Sequence, residues 1–266
     1  MKKIGFIGCG NMGGALAMAI SKVVGGSSIL LCDADEGKAA LLAEKLSASS
    51  VSLSALVNEA DMIFLGVKPQ GFASLLSSVA PILKSRKETP LFVSMAAGLS
   101  TEKISGMFGG DVKLIRIMPN TPVAVGEGMI LYTATESTTA EDLDFFLSVM
   151  QKAGKLCAIP EDKIDAASAV SGCGPAFAYL FAEALADAGV SIGLSRSDAQ
   201  TFAAQMMLGS AKMVLESDKN PGALKDAVCS PGGTTIAGVY ALEQGGFRGS
   251  VMSAVLASYR RTLELK

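Results

Sequence analysis

Met1–Gly14, with the sequence MKKIGFIGCGNMGG, is the stretch that decides the fold. A short apolar run around Phe6 is typical of a buried strand, and it ends in a GxGxxG pattern at Gly8–Gly13, before a helical pattern at Ala15–Val23. Glycines at these positions allow a tight turn, let a pyrophosphate approach the backbone, and let strand and helix pack closely. The free N–H groups and partial positive charge at a helix start suit phosphate. The stretch therefore predicts the phosphate loop of a dinucleotide site.

The context of this loop separates two interpretations. Glycine-rich hexapeptides are common, so an ordinary turn with spare glycines is the alternative. The strand–turn–helix order favours the dinucleotide site, and so does Asp33, which lies twenty positions after Gly13 at the end of a second apolar run, Ser28–Cys32. A carboxylate at this place binds ribose hydroxyl groups. Asp33 is therefore expected to contact the cofactor.

Composition excludes several classes of protein. With 266 residues the chain has room for one large or two modest domains. Half of the residues are hydrophobic, 18% are charged and the net charge is -2, which argues against a disordered chain and against an electrostatic nucleic-acid binder. The first apolar run is too short for a signal peptide, and no window of 18 residues is uninterruptedly apolar. We expect a soluble, cytoplasmic protein.

Cysteine and histidine usage limits the chemistry. The five cysteines are scattered singly, without a CxxC pair, and the chain has no histidine. We therefore expect reduced thiols and no metal site. Ser-His-Asp and Cys-His enzymes are excluded. Any proton transfer must use a carboxylate, Lys, Tyr, a hydroxyl group, water or a proton that the substrate already carries.

Up to residue 160, strand-like runs alternate with helical patterns of about ten residues, for example a capping box at Thr138 and Glu141 that predicts a helix start. This order predicts an α/β fold with a Rossmann-type, doubly wound, mostly parallel sheet over residues 1–160. Ligands of such sheets bind at the carboxyl ends of the strands. The polar segments that follow the predicted strands should therefore converge on one crevice: Gly8–Gly13, Asp33, Lys68-Pro69, Ala96–Gly98 and Asn120-Thr121.

From Pro160 onward the β-branched runs disappear and helical patterns rich in Ala, Met, Leu and Gly take over, which predicts an all-helical domain over residues 161–266. Its first helix is predicted to run towards Ala188 with Gly172 and Gly174 in its middle. These glycines are consistent with a kinked helix in a tight bundle or with close helix contacts between subunits. We favour the second interpretation and expect an oligomer.

The most unusual polar stretch of the helical region is Ser230–Thr235, SPGGTT. Small hydroxyl side chains beside glycines, just before a helix, can present Oγ and backbone N–H donors to a carboxylate. The alternative is an ordinary helix N-cap after a glycine loop. The local pattern leaves both interpretations open.

The segment Leu224–Glu243, LKDAVCSPGGTTIAGVYALE, resembles the signature of the pyrroline-5-carboxylate reductase family. The resemblance covers essentially the whole chain and extends to Ile7–Gly13, Val67–Gln70, Ser94–Gly98, Arg116–Pro122 and Ser171–Ala176. It implies reduction of 1-pyrroline-5-carboxylate to L-proline by hydride transfer from NADH or NADPH, the last step of proline biosynthesis. It also implies an N-terminal Rossmann domain and a C-terminal dimerisation domain that interlocks with a partner subunit, in a homodimer or a ring of dimers.

Site residues follow from the motifs and the resemblance. Expected cofactor contacts are Ile7, Gly8, Cys9, Gly10, Asn11, Met12, Gly13, Asp33, Val67, Lys68, Pro69, Met95, Ala96, Ala97 and Asn120. The expected substrate groove consists of Val228, Ser230, Gly233, Thr234 and Thr235. The resemblance implies that Asn120 lines the nicotinamide and substrate site and that Thr235 hydrogen-bonds the ring nitrogen of the substrate, so these two are the predicted catalytic residues. The role of Arg116 stays open.

Two positions depart from the family pattern. Cys173 stands where family members often have Ser, and because a thiol is a weaker donor, packing is its expected role. Asp33 stands where NADPH-favouring relatives tend to carry Asn, Ser or Arg, and its carboxylate would repel a 2′-phosphate. Lys38 is the only cation near it in the sequence. We therefore predict that NADH is used at least as well as NADPH.

Other functions remain as alternatives. A related imine reductase or a β-hydroxyacid dehydrogenase would share a Rossmann domain followed by helices. Hydroxyacid chemistry normally needs a lysine on the long helix between the domains, and residues 165–188 contain none. A non-catalytic dinucleotide sensor is the alternative from another class, and the Ser230–Thr235 segment speaks against it.

Overall fold

A computed structural model describes residues 2–264 of the chain, and it contains one eight-stranded sheet with the order β3-β2-β1-β4-β5-β6-β7-β8. Neighbouring strands from β3 through to β6 pair in parallel, β7 is antiparallel to β6, and β8 is parallel to β7. The order of the first six strands is that of a doubly wound dinucleotide fold, whose switch point lies between β1 and β4. The strands are β1 (Ile4–Ile7), β2 (Ile29–Cys32), β3 (Ser49–Ser50), β4 (Met62–Leu65), β5 (Leu91–Ser94), β6 (Leu114–Met118), β7 (Gly128–Ala134) and β8 (Gly154–Ala158). The predicted α/β fold with a Rossmann-type sheet is confirmed.

An α-helix follows each strand except β6, and after β8 the helices follow one another. They are α1 (Asn11–Val24), α2 (Glu36–Leu46), α3 (Leu53–Glu59), α4 (Phe72–Leu83), α5 (Thr101–Phe108), α6 (Ala140–Met150), α7 (Glu161–Ser171), α8 (Gly174–Ser191), α9 (Arg196–Glu216), α10 (Pro221–Ala227), α11 (Thr234–Gln244) and α12 (Phe247–Glu264). Helix α3 was not predicted, although Ser52 caps it by accepting a hydrogen bond from the N–H of Ala55.

Both faces of the sheet are covered by helices. On one face α1, α2 and α6 pack against strand residues that include Phe6 and Phe64, whose rings stack 4.6 Å apart. On the other face α3, α4 and α5 pack against residues that include Ile63 and Phe92. Because the central strands are buried on both faces, they have the continuous apolar runs by which the sequence predicted them.

The described chain forms two compact units. The second unit is Gly174–Ala257, and the first comprises the rest, up to Cys173 and from Ser258. Helix α7 therefore packs with the sheet. The predicted division into residues 1–160 and 161–266 is a statement about functional domains, and it stays a prediction.

The predicted continuous helix from Pro160 towards Ala188 is wrong in one respect, because it is interrupted at Gly172 and Cys173. Their N–H groups both donate to the carbonyl oxygen of Ser168, at 2.7 and 3.1 Å, so the hydrogen-bond ladder changes from i−4 to i−5 at this point. A Cβ atom at Gly172 would lie 2.7 Å from the Ser168 Oγ, which explains the glycine.

By length and composition the helical stretch Glu161–Ser191 could cross a membrane. A single stretch of this kind is weak evidence, since core helices of soluble proteins pass the same test. Ile164, Asp165 and Ala169 on its first half are buried, which agrees with a helix that packs against protein.

The capping box of α6 lies one residue beyond the predicted pair. Thr139 and Asp142 exchange the two capping hydrogen bonds. Thr138 instead bonds the carbonyl oxygen of Leu114 through its hydroxyl group, at 3.3 Å. The predicted pair of Thr138 and Glu141 is therefore wrong, because a long-range contact with the strand holds Thr138 outside the helix.

Candidate functional site

Three glycines bring the loops after β1 and β4 into direct backbone contact. Gly8 has a φ of +103°, a region that favours glycine, and a Cβ atom there would lie 2.7 Å from the backbone of Gly66. A Cβ atom at Gly13 would lie 2.1 Å from the carbonyl oxygen of Gly8. The first and last glycines of the GxGxxG pattern are thus required by packing within the protein.

Gly10 differs from these glycines because no protein atom fills the space beside it. A Cβ atom there would meet no other atom within 4 Å, and Gly10 is exposed at the N-cap of α1, where no side chain caps the helix. The first N–H groups of α1 have no partner within the helix. The space beside Gly10 and these N–H groups fit a pyrophosphate at the helix N-terminus.

The open glycine lies on the wall of a cavity of about 720 Å³, a size within the range of small-molecule sites. The structure brings six of the predicted cofactor residues to this wall: Ile7, Gly8, Gly10, Asp33, Val67 and Lys68. The other predicted contacts from the same region lie in the first turn of α1 or on the loops after β1, β4 and β5: Asn11, Met12 and Gly13 on α1, and Cys9, Pro69, Met95, Ala96 and Ala97 after the strands.

Several wall residues were missed by the sequence analysis: Cys32, Ala34, Glu36, Leu53, Gly66, Gly71, Ser74, Leu75 and Ser78. Most of them lie between the end of β2 and α4. Gly66, directly after the apolar run of β4, carried a usable signal, because glycine at the end of a strand often marks close backbone approach. The side chains of Leu53, Leu75 and Ser78 lie on helices, where a linear pattern does not show which face reaches a cavity.

The carboxylate of Asp33 ties the glycine loop to the turn after β2. Its Oδ2 accepts a hydrogen bond from the N–H of Cys9 at 2.6 Å, and its Oδ1 accepts one from the N–H of Asp35 at 2.9 Å. Each carboxylate oxygen can accept a second hydrogen bond. Asp33 can therefore hold the loop and still accept hydrogen bonds from ribose hydroxyl groups.

The two thiols beside this carboxylate are poor nucleophiles. Burial and the nearby carboxylate of Asp33 raise the pKa of the Cys9 thiol to about 11, and the same two causes raise the pKa of Cys32. Because the thiolate is the reactive form, neither side chain is suited to covalent chemistry at neutral pH. The Cys9 thiol donates a weak hydrogen bond to the carbonyl oxygen of Cys32, at 3.8 Å.

The charges around the cavity are mostly negative near Asp33. Asp33 and Glu36 both line the wall. Lys38 forms an ion pair with Asp35 at 3.5 Å, so its charge is partly compensated. Lys68 lines the wall from the loop after β4, is exposed, and has no ion-pair partner among residues 2–264. The end of the cavity at β2 is thus unfavourable for a further phosphate.

Asn120 is held from both sides by backbone groups. Its Nδ2 donates to the carbonyl oxygen of Ser171 at 2.9 Å, and its Oδ1 accepts from the N–H of Met129 at 2.9 Å. The residue is 9% exposed and follows β6. One hydrogen of the Nδ2 amide group remains for another acceptor, so the side chain is a fixed group with a single free donor.

The predicted substrate groove lies in the second unit, at the start of α11. The N–H of Gly233 donates to the carbonyl oxygen of Ser230 at 3.0 Å, and Gly232 has a φ of +69°, which closes a tight turn with Pro231 at its second position. No side chain caps α11, and Thr234 and Thr235 are exposed. The turn thus presents uncapped N–H groups and two hydroxyl groups, which suit a carboxylate. Val228, also exposed, ends α10 just before the turn.

The two predicted groups of site residues belong to different compact units, so their convergence stays a prediction. The residues around the cavity suit a dinucleotide, and the turn before α11 suits a carboxylate. Among residues 2–264, no three His, Cys, Asp or Glu side chains could hold a metal ion together.

Known proteins give a consistent result. Residues 161–265 match the family model described as pyrroline-5-carboxylate reductase dimerisation, and residues 3–98 match that of NADP oxidoreductase, coenzyme F420-dependent. A pyrroline-5-carboxylate reductase of Escherichia coli is 41% identical over 99% of this chain and 98% of its own length. The chain belongs to the pyrroline-5-carboxylate reductase family.

Two solved structures are similar over nearly the whole chain. The pyrroline carboxylate reductase of Plasmodium falciparum, with NADP bound, is 35% identical with a TM-score of 0.87 and covers 98% of this chain and 97% of its own. The pyrroline-5-carboxylate reductase of Coxiella burnetii is 30% identical with a TM-score of 0.89 and covers 100% of this chain and 98% of its own. The family of the resemblance is confirmed.

Proposed function

We propose that the protein reduces 1-pyrroline-5-carboxylate to L-proline with a reduced nicotinamide dinucleotide, as an oxidoreductase of proline biosynthesis. The observation that carries the proposal is the open Gly10 at the uncapped start of α1, beside a cavity of about 720 Å³, in a chain of this family. A ligand that approaches the loop at Gly10 gives a physical reason for the open glycine between two close-packed ones.

On the cofactor side, the protein binds and orients. The first N–H groups of α1 bind the pyrophosphate, Asp33 accepts hydrogen bonds from ribose hydroxyl groups, and Lys68 adds a positive charge after β4. The loop at Met95–Ala97 and the free Nδ2 hydrogen of Asn120 border the nicotinamide end of the cofactor site. When bound, the dinucleotide supplies the hydride.

On the substrate side, the turn before α11 binds the carboxylate. The uncapped N–H groups of α11 and the hydroxyl groups of Ser230 and Thr234 donate to it, and Gly233 keeps this approach open beside Val228. Thr235 hydrogen-bonds the ring nitrogen. A cyclic imine is basic enough to arrive partly as the iminium ion, so Thr235 or water handles any further proton and no histidine is needed. Orienting two reactants can lower a barrier by roughly 7–11 kcal/mol.

For the cofactor, we propose that NADH is used at least as well as NADPH. The support is the carboxylate pair of Asp33 and Glu36 on the cavity wall and the engagement of Lys38 by Asp35. A 2′-phosphate there would meet like charges, while Lys38, the cation in the first turn of α2, is engaged by Asp35. The relative from Plasmodium falciparum has NADP bound, so the two dinucleotides must be compared directly. A kcat/KM for NADPH more than about tenfold above that for NADH, about 1.4 kcal/mol, would contradict the proposal.

For assembly and location, we propose a homodimer or a ring of dimers in the cytoplasm, with residues 1–160 as the dinucleotide-binding domain and residues 161–266 as the substrate-binding and dimerisation domain. The match of residues 161–265 to a dimerisation model supports oligomerisation, and so do the many exposed apolar side chains of the second unit.

The decisive experiment follows the absorbance of reduced nicotinamide in the presence of the purified chain and 1-pyrroline-5-carboxylate. Oxidation of NADH or NADPH that depends on this substrate, with L-proline as product, is expected. Binding of the dinucleotide without turnover would favour a sensor. Turnover of other cyclic imines or of a β-hydroxyacid, but not of this substrate, would favour one of the related enzymes.

A further inference from the structure

Arg116 is a buried cation that the proposed mechanism does not use. It lies on β6 with its side chain 3% exposed, and its two terminal nitrogens reach two carboxylates on α7. Nη1 is 3.0 Å from an oxygen of Glu161, and Nη2 is 3.2 Å from an oxygen of Asp165, which is also buried. The Nε atom has no hydrogen-bond partner among the described residues. Such a pair is costly to break from one side, because a buried charge is left behind.

The carboxylate of Glu161 is also held by α5. The backbone N–H of Thr101 donates to one of its oxygens at 2.7 Å, and the hydroxyl group of Thr101 donates to the other at 2.6 Å. Burial alone would raise the pKa of Glu161, but these hydrogen bonds and the guanidinium of Arg116 lower it overall. The start of α7 is therefore fixed to β6 and to α5 by charged hydrogen bonds.

The end of α7 is fixed at a second point. The Nδ2 of Asn120 donates to the carbonyl oxygen of Ser171, the last residue of α7, at 2.9 Å. On the helix, Ser171 lies six residues after Asp165, a rise of about 9 Å. Along β6 and the loop that follows it, Asn120 lies four residues after Arg116. The helix is thus attached at two places to β6 and the loop that follows it.

We infer that Arg116 is a positioning residue for Asn120. By fixing the start of α7, Arg116 sets where the Ser171 carbonyl stands, and that carbonyl, together with the Met129 N–H, sets the orientation of the Asn120 amide. The free Nδ2 hydrogen then points in one direction. The inference rests on the proposed function, in which Asn120 lies at the nicotinamide end of the cofactor.

A matched ion pair in the same region offers a control. Lys113, just before β6, pairs with Asp142 at 3.0 Å, and Asp142 belongs to the capping box of α6. Among residues 2–264, no side-chain hydrogen bond joins either residue to α7 or to Asn120. Breaking this pair should affect stability without affecting the nicotinamide end.

The test is a double-mutant cycle on dinucleotide affinity. Kd values for NADH and for ADP-ribose, which lacks the nicotinamide, are measured by titration for the wild type, Arg116→Met, Asn120→Ala and the double variant. Each single change should weaken NADH binding about tenfold, the equivalent of one positioned hydrogen bond, and leave ADP-ribose binding within about twofold. The double variant should lose no more NADH affinity than Asn120→Ala alone. Lys113→Met should change neither affinity.

Three outcomes overturn the inference: equal losses for NADH and ADP-ribose, additive losses in the double variant, or a single variant, Arg116→Met or Asn120→Ala, that shows no selective loss of NADH affinity. If Arg116→Met does not fold, Asp165→Asn and Arg116→Lys replace it in the cycle, and Arg116→Lys, which keeps the positive charge, should lose less NADH affinity relative to the wild type than Asp165→Asn does. A wild type that binds NADH but does not turn over 1-pyrroline-5-carboxylate refutes the proposed function, and the binding cycle still decides the role of Arg116.

Discussion

The two compact units of this chain bury their apolar side chains to very different extents. The sheet unit encloses two clusters of fully buried residues, one on each face of the sheet. In Gly174–Ala257 the buried hydrophobic residues are three alanines, Ala186, Ala199 and Ala203, while Tyr179, Phe202 and other large apolar side chains are exposed. A helix unit with so small a core needs further apolar surface to cover its own. The first unit encloses its own core, and we expect oligomerisation to cover the exposed apolar surface of the second.

The strongest test of this difference places a charge on the exposed apolar face of α9. Phe202, Met206 and Met213 are 59%, 45% and 58% exposed and lie on that helix. Phe202→Glu should shift the oligomer towards monomers, because an unpaired charge buried at an interface costs several kcal/mol, more than a 100-fold change in Kd. Light scattering after size-exclusion chromatography measures the mass.

Leu41→Glu is the matched control, since Leu41 is 70% exposed on α2 of the sheet unit. It should leave the mass unchanged. If both variants had the same effect on the measured mass, the exposed apolar side chains of the second unit would not mark an interface between subunits.

The next test separates packing from binding within the glycine loop. Gly13→Ala should lower the free energy of unfolding by about 3 kcal/mol, since the new methyl group would meet the Gly8 carbonyl at 2.1 Å. Gly10→Ala should change stability by no more than about 0.5 kcal/mol but abolish most dinucleotide affinity. Denaturant unfolding and NADH titration are the two measurements. A stable Gly10→Ala variant with full NADH affinity would disprove the assignment of the pyrophosphate.

A third test asks whether the second unit acts on the substrate alone. Thr235→Ala should lower kcat/KM for 1-pyrroline-5-carboxylate about 100-fold, about 2.7 kcal/mol, by removing a donor that orients the ring nitrogen. The Kd for NADH should stay within about twofold. Thr235→Ser keeps the hydroxyl group and should retain most of the activity. Loss of NADH binding in Thr235→Ala would contradict the assigned role.

The smallest expected effect concerns the acid stability of the sheet unit. The pKa of Glu161 is lowered in the folded state from its ordinary value of 4.5, so its contribution to stability is present above that value and is lost as the pH falls through the lower folded value. Glu161→Gln should therefore flatten the pH dependence of the free energy of unfolding below about pH 5. Glu141→Gln, at a site that is 85% exposed, should not. Parallel pH curves of wild type and Glu161→Gln would refute this.

The elements that could be predicted from the sequence are those whose own residues carry the pattern, such as a continuous apolar run in a strand or apolar periodicity in a helix. The strands around Phe6, Phe64 and Phe92 were found because burial on both faces makes them continuously apolar. The apolar periodicity of Ala39, Leu42, Ala43 and Leu46 predicts a helix over Glu36–Leu46, and α2 has these bounds. By contrast, α1 begins at Asn11 instead of Ala15, because glycines at a helix start carry no apolar periodicity.

Contacts between segments that are distant in the chain could not be predicted from the sequence. The hydrogen bond from the Cys9 N–H to Asp33 involves a backbone group, which has no signature in side-chain patterns. The partners of Arg116 come from α7, some 45 residues later in the chain, and no spacing rule links them. The break at Gly172 depends on which carbonyl the N–H of Cys173 reaches. In each case tertiary geometry decides the outcome.

The contact between Gly8 and Gly66 has a practical meaning for anyone who wishes to engineer the cofactor preference. Because these glycines and Gly13 touch through backbone atoms, a mutant library that varied them would consist mostly of misfolded members. The segment Ala34–Lys38, which runs from the turn after β2 into the first residues of α2, is different, since all five of its residues are exposed. Randomisation confined to that segment explores dinucleotide selectivity on a scaffold that stays intact.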